Sequence, residues 1–272
     1  MASLSFASLR MRPQAALFRP AQHVAANMVR GSRNASGSPI VELREYRLNS
    51  ERAAEYTAMA EKYANLRREI FPLRLFCMPE TGGVLNVATH FYSYSNGHAE
   101  RDAAFAVHKS DPRWREYSKQ HSRPGIEEQR SLLFVEAPLV AKFQLHGMQN
   151  ELCPGGEPSA HSIYELRRYQ LKLGYDTVPR FLEHYSKGLP SKLGANGTDP
   201  STSLVTLLYS DVGSLNEVIE LWRHGGGTAA MDKSRQAARS ASEWRQAIAD
   251  IAGLAMTFTT TIHKPLPFSP WR

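Results

Sequence analysis

The chain has 272 residues, of which 42% are hydrophobic and 22% are charged, a composition typical of folded globular proteins and not of disordered or fibrous ones. Its length suits one large domain or two of ordinary size, and it lacks the run of about 18 apolar residues that a membrane-spanning helix needs. Its two cysteines, Cys77 and Cys153, cannot build a disulfide framework, are not spaced as zinc ligands, and fit a reducing compartment.

The net charge of +7 is concentrated at the N-terminus. Residues 1–39 contain five arginines and no acidic residue, whereas the rest of the chain has 28 basic and 26 acidic residues. A nucleic-acid-binding protein would carry its positive charge as a basic stripe on a folded face. The near-neutral body therefore argues against a nucleic-acid partner.

Residues 1–39 are rich in Ala and Ser, and their arginines are spaced among scattered apolar residues. This composition is typical of a mitochondrial transit peptide, while a secretory signal would need a continuous apolar stretch. We expect processing between Arg30 and Ser36 and a mitochondrial location, the matrix in particular. The alternative is an ordinary disordered basic tail.

The body of the chain repeats itself. The segment 42–48 (Glu-Leu-Arg-x-Tyr-x-Leu) recurs as 165–171 at an offset of 123, and two further blocks recur at an offset of 130, namely Leu85-Asn86 as Leu215-Asn216 and Trp114-Arg115 as Trp244-Arg245. Two blocks at one offset indicate a duplication. The change of offset predicts seven extra residues in the second copy, in the loop 194–200.

The Pro- and Gly-rich segment between the copies predicts a linker in which Cys153 is exposed. We therefore divide the chain into a transit peptide at 1–39, a first domain at 40–146, a linker at 147–160 and a second domain at 161–270.

Hydrophobic periodicity predicts the same elements in each copy. In the first copy we expect a strand over 41–48, a helix ending before Pro72, strands over 73–78 and 84–94, a helical stretch over 98–129 broken near Asp111-Pro112, and a strand over 132–135. In the second copy we expect a strand over 162–172, a helix over 176–192, strands over 202–210 and 214–224, a helix over 228–252, and a strand over 255–263.

The order β-α-β-β-α-β is that of the ferredoxin-like split βαβ unit. Such a unit packs its helices on one face of an antiparallel sheet and leaves an apolar face that must be covered. A tandem copy can supply this cover. The sequence therefore predicts an α+β protein in which two tandem ferredoxin-like units pack sheet to sheet.

Several motifs in order resemble the NIPSNAP family: Glu-Leu-Arg-x-Tyr at the start of each copy, Leu85-Asn86-Val87 with His90-Phe91-Tyr92, Asp111-Pro112-x-Trp114, Leu215-Asn216-x-Val218, and Phe268-Ser269-Pro270. The resemblance covers roughly residues 40–270. It implies a dimeric α/β-barrel fold, mitochondrial association, and links to vesicular trafficking and to the tagging of damaged mitochondria for autophagy. It therefore implies mitochondrial or autophagy-related protein partners, and it brings no accepted enzymatic reaction or cofactor. Members of this superfamily often dimerise, so a homodimer is an open alternative to pairing within one chain.

The best candidate for chemistry is His90. By the period of two along its predicted strand it shares a face with Asn86 and Tyr94, and we expect this face to point into the interior between the sheets. In related folds that interior can hold a small molecule or haem. The alternative is a buried histidine satisfied by a hydrogen-bond network.

Three more residues complete the candidate interior pocket: Arg101, Asn216 and Trp222. The alternatives are a structural ion pair across the helix–sheet junction for Arg101 and a core anchor for Trp222. The second copy departs from the first, with Glu220 in place of His90 and His224 in place of Tyr94, which argues against two equivalent sites.

Two functions follow. One is a non-catalytic mitochondrial interaction or adaptor protein, favoured by the leader, the repeat, the lack of a complete catalytic set and the family resemblance. We expect no cofactor, and no metal, since nothing near His90 has metal-ligand spacing. The other is a small-molecule or haem-binding barrel, monooxygenase-like, with its site around His90. A cavity of roughly 300 Å³ or more lined by the candidate residues would favour the second function.

Overall fold

The computed structural model describes residues 37–272. The predicted processing site, and the predicted transit peptide as far as residue 36, lie outside the described residues. Within the described part of the chain, no helix is both long and apolar enough to cross a membrane.

Two successive β-α-β-β-α-β units build the protein. The first half contains β1 (Ile40–Leu48), α1 (Ala53–Lys62), α2 (Ala64–Ile70), β2 (Leu73–Thr81), β3 (Val87–Tyr94), α3 (Gly97–Ser110), α4 (Pro112–Tyr117) and β4 (Ile126–Glu136). A short helix α5 (Leu139–Lys142) precedes the second half, which contains β5 (Ile163–Leu171), α6 (Thr177–Leu193), β6 (Thr202–Val212), β7 (Glu217–His224), α7 (Gly227–Ser240), α8 (Ser242–Ala252) and β8 (Ala255–Pro265). The predicted order of elements is confirmed in both copies.

All eight strands form one closed antiparallel barrel in the order β1-β3-β2-β8-β5-β7-β6-β4. Within each half the order is that of a ferredoxin-like sheet. Edge strand β2 pairs with β8, and edge strand β4 pairs with β6. The fold prediction of two tandem units forming a dimeric α/β barrel is therefore confirmed, and the pairing leaves neither half with an unpaired sheet edge.

Three apolar cores lie in and around the barrel. One fills its interior with side chains from both halves, and the other two lie between the sheet and the helices of each half. The interior core includes Leu43, Phe91, Phe134, Tyr164, Leu166, Leu221 and Trp271. The shared interior explains why each half needs the other: its inward face is apolar and has no helix to cover it.

The faces of β3 are opposite to those predicted. Phe91 lies in the barrel interior, whereas Tyr92 and Tyr94 lie in the helix–sheet core of the first half. His90 packs there too, against Phe76. The prediction that His90 points into the interior between the sheets is therefore wrong. Both faces of β3 are buried, so the alternation of polar and apolar residues did not distinguish them.

One end of the barrel is closed by the segment that ends the chain. Trp271 is fully buried, and its backbone N–H donates to the carbonyl oxygen of Arg74 at 3.1 Å. The carbonyl oxygen of Arg272 lies 2.9 Å from the thiol sulfur of Cys153, which is buried. The expectation of an exposed linker cysteine is wrong, because this part of the linker packs against the C-terminal segment.

The other end of the barrel holds a cavity of about 260 Å³, and its lining includes charged side chains. The guanidinium of Arg168, from the second half, donates to Glu45 of the first half at 2.9 Å and to Glu217 at 2.7 Å. This bridge joins the two halves at the mouth of the barrel.

Two helix predictions need correction. The stretch predicted as helix to Gln129 ends earlier, because α4 stops at Tyr117, two short non-α helical turns follow, and β4 begins at Ile126. The exposed outer residues at the start of β4 are polar and resemble a solvated helix face in sequence. The helix predicted over 228–252 is broken at Ala241. By contrast, the extra length of the second copy does lie mainly where we expected it: eight residues separate α6 from β6, whereas two separate α2 from β2.

We predict that Trp271→Ala lowers the free energy of unfolding by about 3 kcal/mol, because a fully buried indole shared by both halves is replaced by a cavity. Denaturant unfolding followed by far-UV circular dichroism measures the change. Leu152→Ala, at an exposed position, serves as the control and should leave stability nearly unchanged. A loss below 1 kcal/mol for Trp271→Ala would contradict the shared interior.

Candidate functional site

The helix–sheet layer of the second half contains an open cleft of about 560 Å³, here called the second cleft. Helices α6, α7 and α8 form one wall, and strands β5, β7 and β8 form the other. Its lining residues are Glu165, Arg167, Lys192, Leu193, Thr198, Thr202, Trp222, His224, Ser234, Arg235, Ala238, Arg239, Trp244, Arg245, Ile248, Phe258 and Thr260.

Glu165 is fully buried at the floor of the second cleft. It accepts hydrogen bonds from Arg167 Nε and Arg235 Nη2, each at 2.6 Å, and His224 Nε2 lies 3.2 Å from its other oxygen. Burial opposes ionisation, but the hydrogen bond with His224 and the charge of Arg167 outweigh it and hold the pKa of Glu165 well below its ordinary value. The floor therefore carries a fixed, fully compensated carboxylate.

Glu220 fixes the orientation of the indole wall. It accepts a hydrogen bond from Trp222 Nε1 at 2.6 Å and another from the Tyr169 hydroxyl at 2.7 Å. Trp222 and Trp244 are both buried. The structure thus agrees with the interpretation of Trp222 as a core anchor, and it places both indoles in the wall of the cleft.

Lys192, near the C-terminal end of α6, is a buried cation in this wall. Its ammonium lies 3.7 Å from the ring centroid of Trp222 and 4.3 Å from that of Trp244, and it has no hydrogen-bond partner within residues 37–272. Burial, with the nearby positive charge of Arg167, lowers the pKa of Lys192 to about 7. An anion that entered the cleft would supply the missing partner.

The corresponding space in the first half is filled by aromatic side chains. Phe71, Phe105, His108 and Trp114 pack with ring centroids 5.0–5.6 Å apart. By the offsets of the repeat, the second half has Gly194, Arg235 and Ala238 at the places of the first three residues. Two of these rings are replaced by smaller side chains and a third by an arginine, which explains why the second half is open between Trp244 and the sheet.

Of the six residues predicted to line a pocket, Trp222 lies in the second cleft. Tyr94 and Arg101 instead meet on the buried carboxylate of Glu42, at 3.1 Å from the tyrosine hydroxyl and 3.0 Å from Arg101 Nη2. Arg101 thus forms the structural ion pair across the helix–sheet junction that was its alternative interpretation.

His90 lies in a closed apolar layer. The centroid of its ring is 4.0 Å from that of Phe76 and 4.8 Å from that of Tyr46. Burial, reinforced by the charges of Arg67 and Arg44, lowers the pKa of His90 well below its ordinary value. Neither ring nitrogen has a hydrogen-bond partner in the described part of the chain, so the expected buried network is not seen either.

Asn86 and Asn216 lie in turns and not on strand faces, because β3 and β7 begin one residue later. Both have a φ of 57°, a left-handed conformation that asparagine tolerates better than most residues. The side-chain amide of Asn216 donates to the carbonyl oxygens of Lys172 and Gly174. Their recurrence in the sequence therefore reflects two equivalent turns.

Sequence reasoning missed Lys192, Arg235 and the two small residues Gly194 and Ala238. The signal was present in the repeat itself: placing the two copies in register pairs Phe71 with Gly194 and His108 with Ala238. A comparison of residue volumes between the copies would have indicated the cleft.

The fold and the cleft together define a tandem dimeric α/β-barrel protein with a ligand-sized space in the helix–sheet layer of its second half. The family model described as NIPSNAP matches residues 41–140 and 164–270. The chain therefore belongs to the NIPSNAP family, and the two matches coincide with the two halves. No curated protein sequence matches the chain.

Solved structures share the fold. A proposed monooxygenase from Fusobacterium nucleatum is 12% identical, with a TM-score of 0.57 over 85% of this chain and 94% of that one. An anthrone oxidase-like protein is 10% identical, with a TM-score of 0.53 over 85% of this chain and 93% of its own. A NIPSNAP family protein of unknown function from Agrobacterium tumefaciens is 25% identical and covers 42% of this chain and 96% of its own, with a TM-score of 0.36. At these identities the full-length likenesses show the fold alone.

We predict that Lys192→Met stabilises the protein more at low pH than at high pH. The pKa of Lys192 falls from 10.5 to about 7 on folding, so the folded state binds fewer protons than the unfolded state between these values. The free-energy cost of burying the charged ammonium is greatest below pH 7 and disappears as the pH rises toward 10. The gain in unfolding free energy should be larger at pH 6 than at pH 9 by about 2–3 kcal/mol.

Urea unfolding at the two pH values measures this difference. Lys187→Met, on an exposed position of the same helix, is the matched control and should show no comparable dependence. An equal gain for Lys192→Met at both pH values would mean that the buried ammonium has an ordinary pKa.

Proposed function

We propose that the protein is a small-molecule-binding protein of the mitochondrial matrix that holds an anionic ligand in the second cleft. The observation that carries the proposal is the buried, unpartnered ammonium of Lys192 in the wall of a cleft of about 560 Å³. That volume lies within the roughly 300–1,000 Å³ of small-molecule sites.

The charge of the residues that line the second cleft supports an anionic ligand. The lining includes four arginines and Lys192. They lie near two buried carboxylates, Glu165 in the lining and Glu220 behind the indole wall, each of which already accepts at least two hydrogen bonds. Arg239 and Arg245 are exposed at the mouth, and neither makes an ion pair within residues 37–272. Free guanidinium groups beside a low-dielectric cleft attract anions and offer paired donors to a carboxylate or phosphate.

The barrel interior offers less support for chemistry. Its charged cavity is smaller than the second cleft. Cys77 Sγ lies 3.6 Å from His263 Nδ1 there, but burial raises the pKa of the thiol and lowers that of His263 to about 4. Both groups are neutral near pH 7, so this pair is not arranged as an activated nucleophile.

A second candidate function is that of an interaction or adaptor protein in mitochondrial homeostasis, with mitochondrial or autophagy-related partners of the kind that the family resemblance suggests. Exposed apolar side chains favour it. At equivalent turns of the two halves, Leu85 is 53% exposed and Leu215 is 59% exposed. Leu173 and Tyr175, in the loop before α6, are more exposed still. Such side chains can contact a partner protein or a second copy of this chain.

The mitochondrial location rests on the arginine-rich, acid-free composition of residues 1–39. We predict that the full chain fused to a fluorescent protein enters mitochondria, and that the same fusion without residues 1–39 stays in the cytosol. Fractionation with protease protection checks both results and separates the matrix from outer compartments. Continued import of the shortened chain would contradict the assignment of the leader.

The ligand site is tested with 8-anilinonaphthalene-1-sulfonate, an anionic dye that fluoresces in apolar surroundings. We predict one dye per chain and at least tenfold weaker binding by the double variant Arg235→Phe/Ala238→His. This variant inserts the residues that fill the first half and removes one cation.

Ala229→His is the matched control, because it adds the same imidazole at an exposed position of α7. It should leave dye affinity within twofold of the wild type. Unchanged dye binding by a folded double variant would show that the second cleft is not the site.

A further inference from the structure

The second cleft continues into an apolar groove between α8 and β8. The groove has a volume of about 360 Å³ and shares Arg167, Trp244, Ile248 and Phe258 with the cleft. Its remaining lining is apolar apart from Tyr169 and Thr257. The charged cleft and the apolar groove are thus continuous with each other along α8.

The groove exposes apolar surface on a strand. Met256 is 64% exposed and Phe258 is 52% exposed, although Phe258 stacks on Tyr169 with ring centroids 4.5 Å apart. Large apolar side chains left open beside a cleft mark a binding surface more often than a free one. The groove that these side chains line is bounded by one helix, α8, and one strand, β8.

The first half carries polar residues where the second half has Met256 and Phe258. By the register of β1 with β4 and of β5 with β8, Gln129 occupies the place of Phe258, since they lie opposite Tyr46 and Tyr169. Glu127 correspondingly occupies the place of Met256, and it pairs with Arg47 at 3.0 Å. The apolar groove is therefore a property of the second half, as the open cleft is.

The indoles do not provide a free stacking surface. Trp222 and Trp244 are both buried, and the ammonium of Lys192 lies over one face of each, within 4.3 Å of the ring centroids. What remains is a cationic region that leads into a narrow apolar channel. This shape favours a flexible chain over a planar ring system.

We infer that the ligand is a single-chain anionic amphiphile of the fatty carboxylate type. Its head lies among Lys192, Arg235 and Arg239, and its tail lies along Ile248, Met256 and Phe258. The inference rests on the proposed function and names the class of ligand for the same cleft. It concerns a free ligand and not a lipid held in a membrane surface.

The test is calorimetric titration of the full chain with decanoate, hexanoate and decanol. We expect one decanoate per chain, affinity that rises about fourfold for each added methylene that is buried, and at least tenfold weaker binding of decanol because it lacks the charge. Equal binding of decanol and decanoate, or no dependence on chain length, would overturn the inference.

A variant that carries the first-half residues tests the groove directly. Met256→Glu/Phe258→Gln should weaken decanoate at least tenfold, whereas Met256→Leu/Phe258→Leu should stay within threefold of the wild type. If the polar variant fails to fold, the chain-length series in the wild type decides the question alone.

Two results separate this inference from the proposed function. If the dye binds the wild type but not Arg235→Phe/Ala238→His, and decanoate does not bind the wild type, the proposed site stands and the amphiphile is rejected as its ligand. Flotation of the protein with vesicles of phosphatidylcholine and cardiolipin, without binding of free decanoate, would reject the free ligand in favour of a membrane surface.

Discussion

Pairing between the edge strands of the two halves is the constraint on which the rest of the structure depends. Strand β2 bonds to β8 and strand β4 bonds to β6, so two ferredoxin-like sheets become one closed barrel. Side chains of both halves then fill most of the barrel interior. The larger of the open spaces must therefore lie outside the barrel, between the sheet and the helices.

The layer between the sheet and the helices shows how the two copies of the repeated unit have diverged. Each half buries a glutamate on its first strand and compensates it with arginines, as Glu42 with Arg101 and Glu165 with Arg167. Around this shared centre the first half is filled with rings, and the second has small residues and cations. A structural layer in one copy corresponds to a candidate binding layer in the other.

The amino-acid sequence contains most of the topology. The repeat, the order of elements, the loop that lengthens the second copy, and the sheet-to-sheet pairing all follow from residue spacing. The orientation of His90 did not follow, because β3 is buried on both faces and its alternation is uninformative. Cys153 was misplaced because the contact that buries it comes from Arg272, which is distant along the chain.

The cleft could have been predicted only in part. Trp222 was singled out because of its repeated context, but Lys192 gives no local signal, since the exposed Lys187 of the same helix looks the same in sequence. Its burial depends on Trp222 and Trp244, which come from a strand and from another helix. Sites of this kind arise from the packing of distant segments and become visible when the two copies are compared position by position.

Because the two similar halves carry unequal outer layers, we expect the proposed ligand to bind to the second half alone. Hydrogen–deuterium exchange of the full chain, with and without saturating decanoate or dye, tests this expectation. We expect added protection in α6, α7, α8 and β8, and none in the corresponding elements of the first half. Protection around Phe71 and Trp114, or at the charged mouth of the barrel, would contradict it.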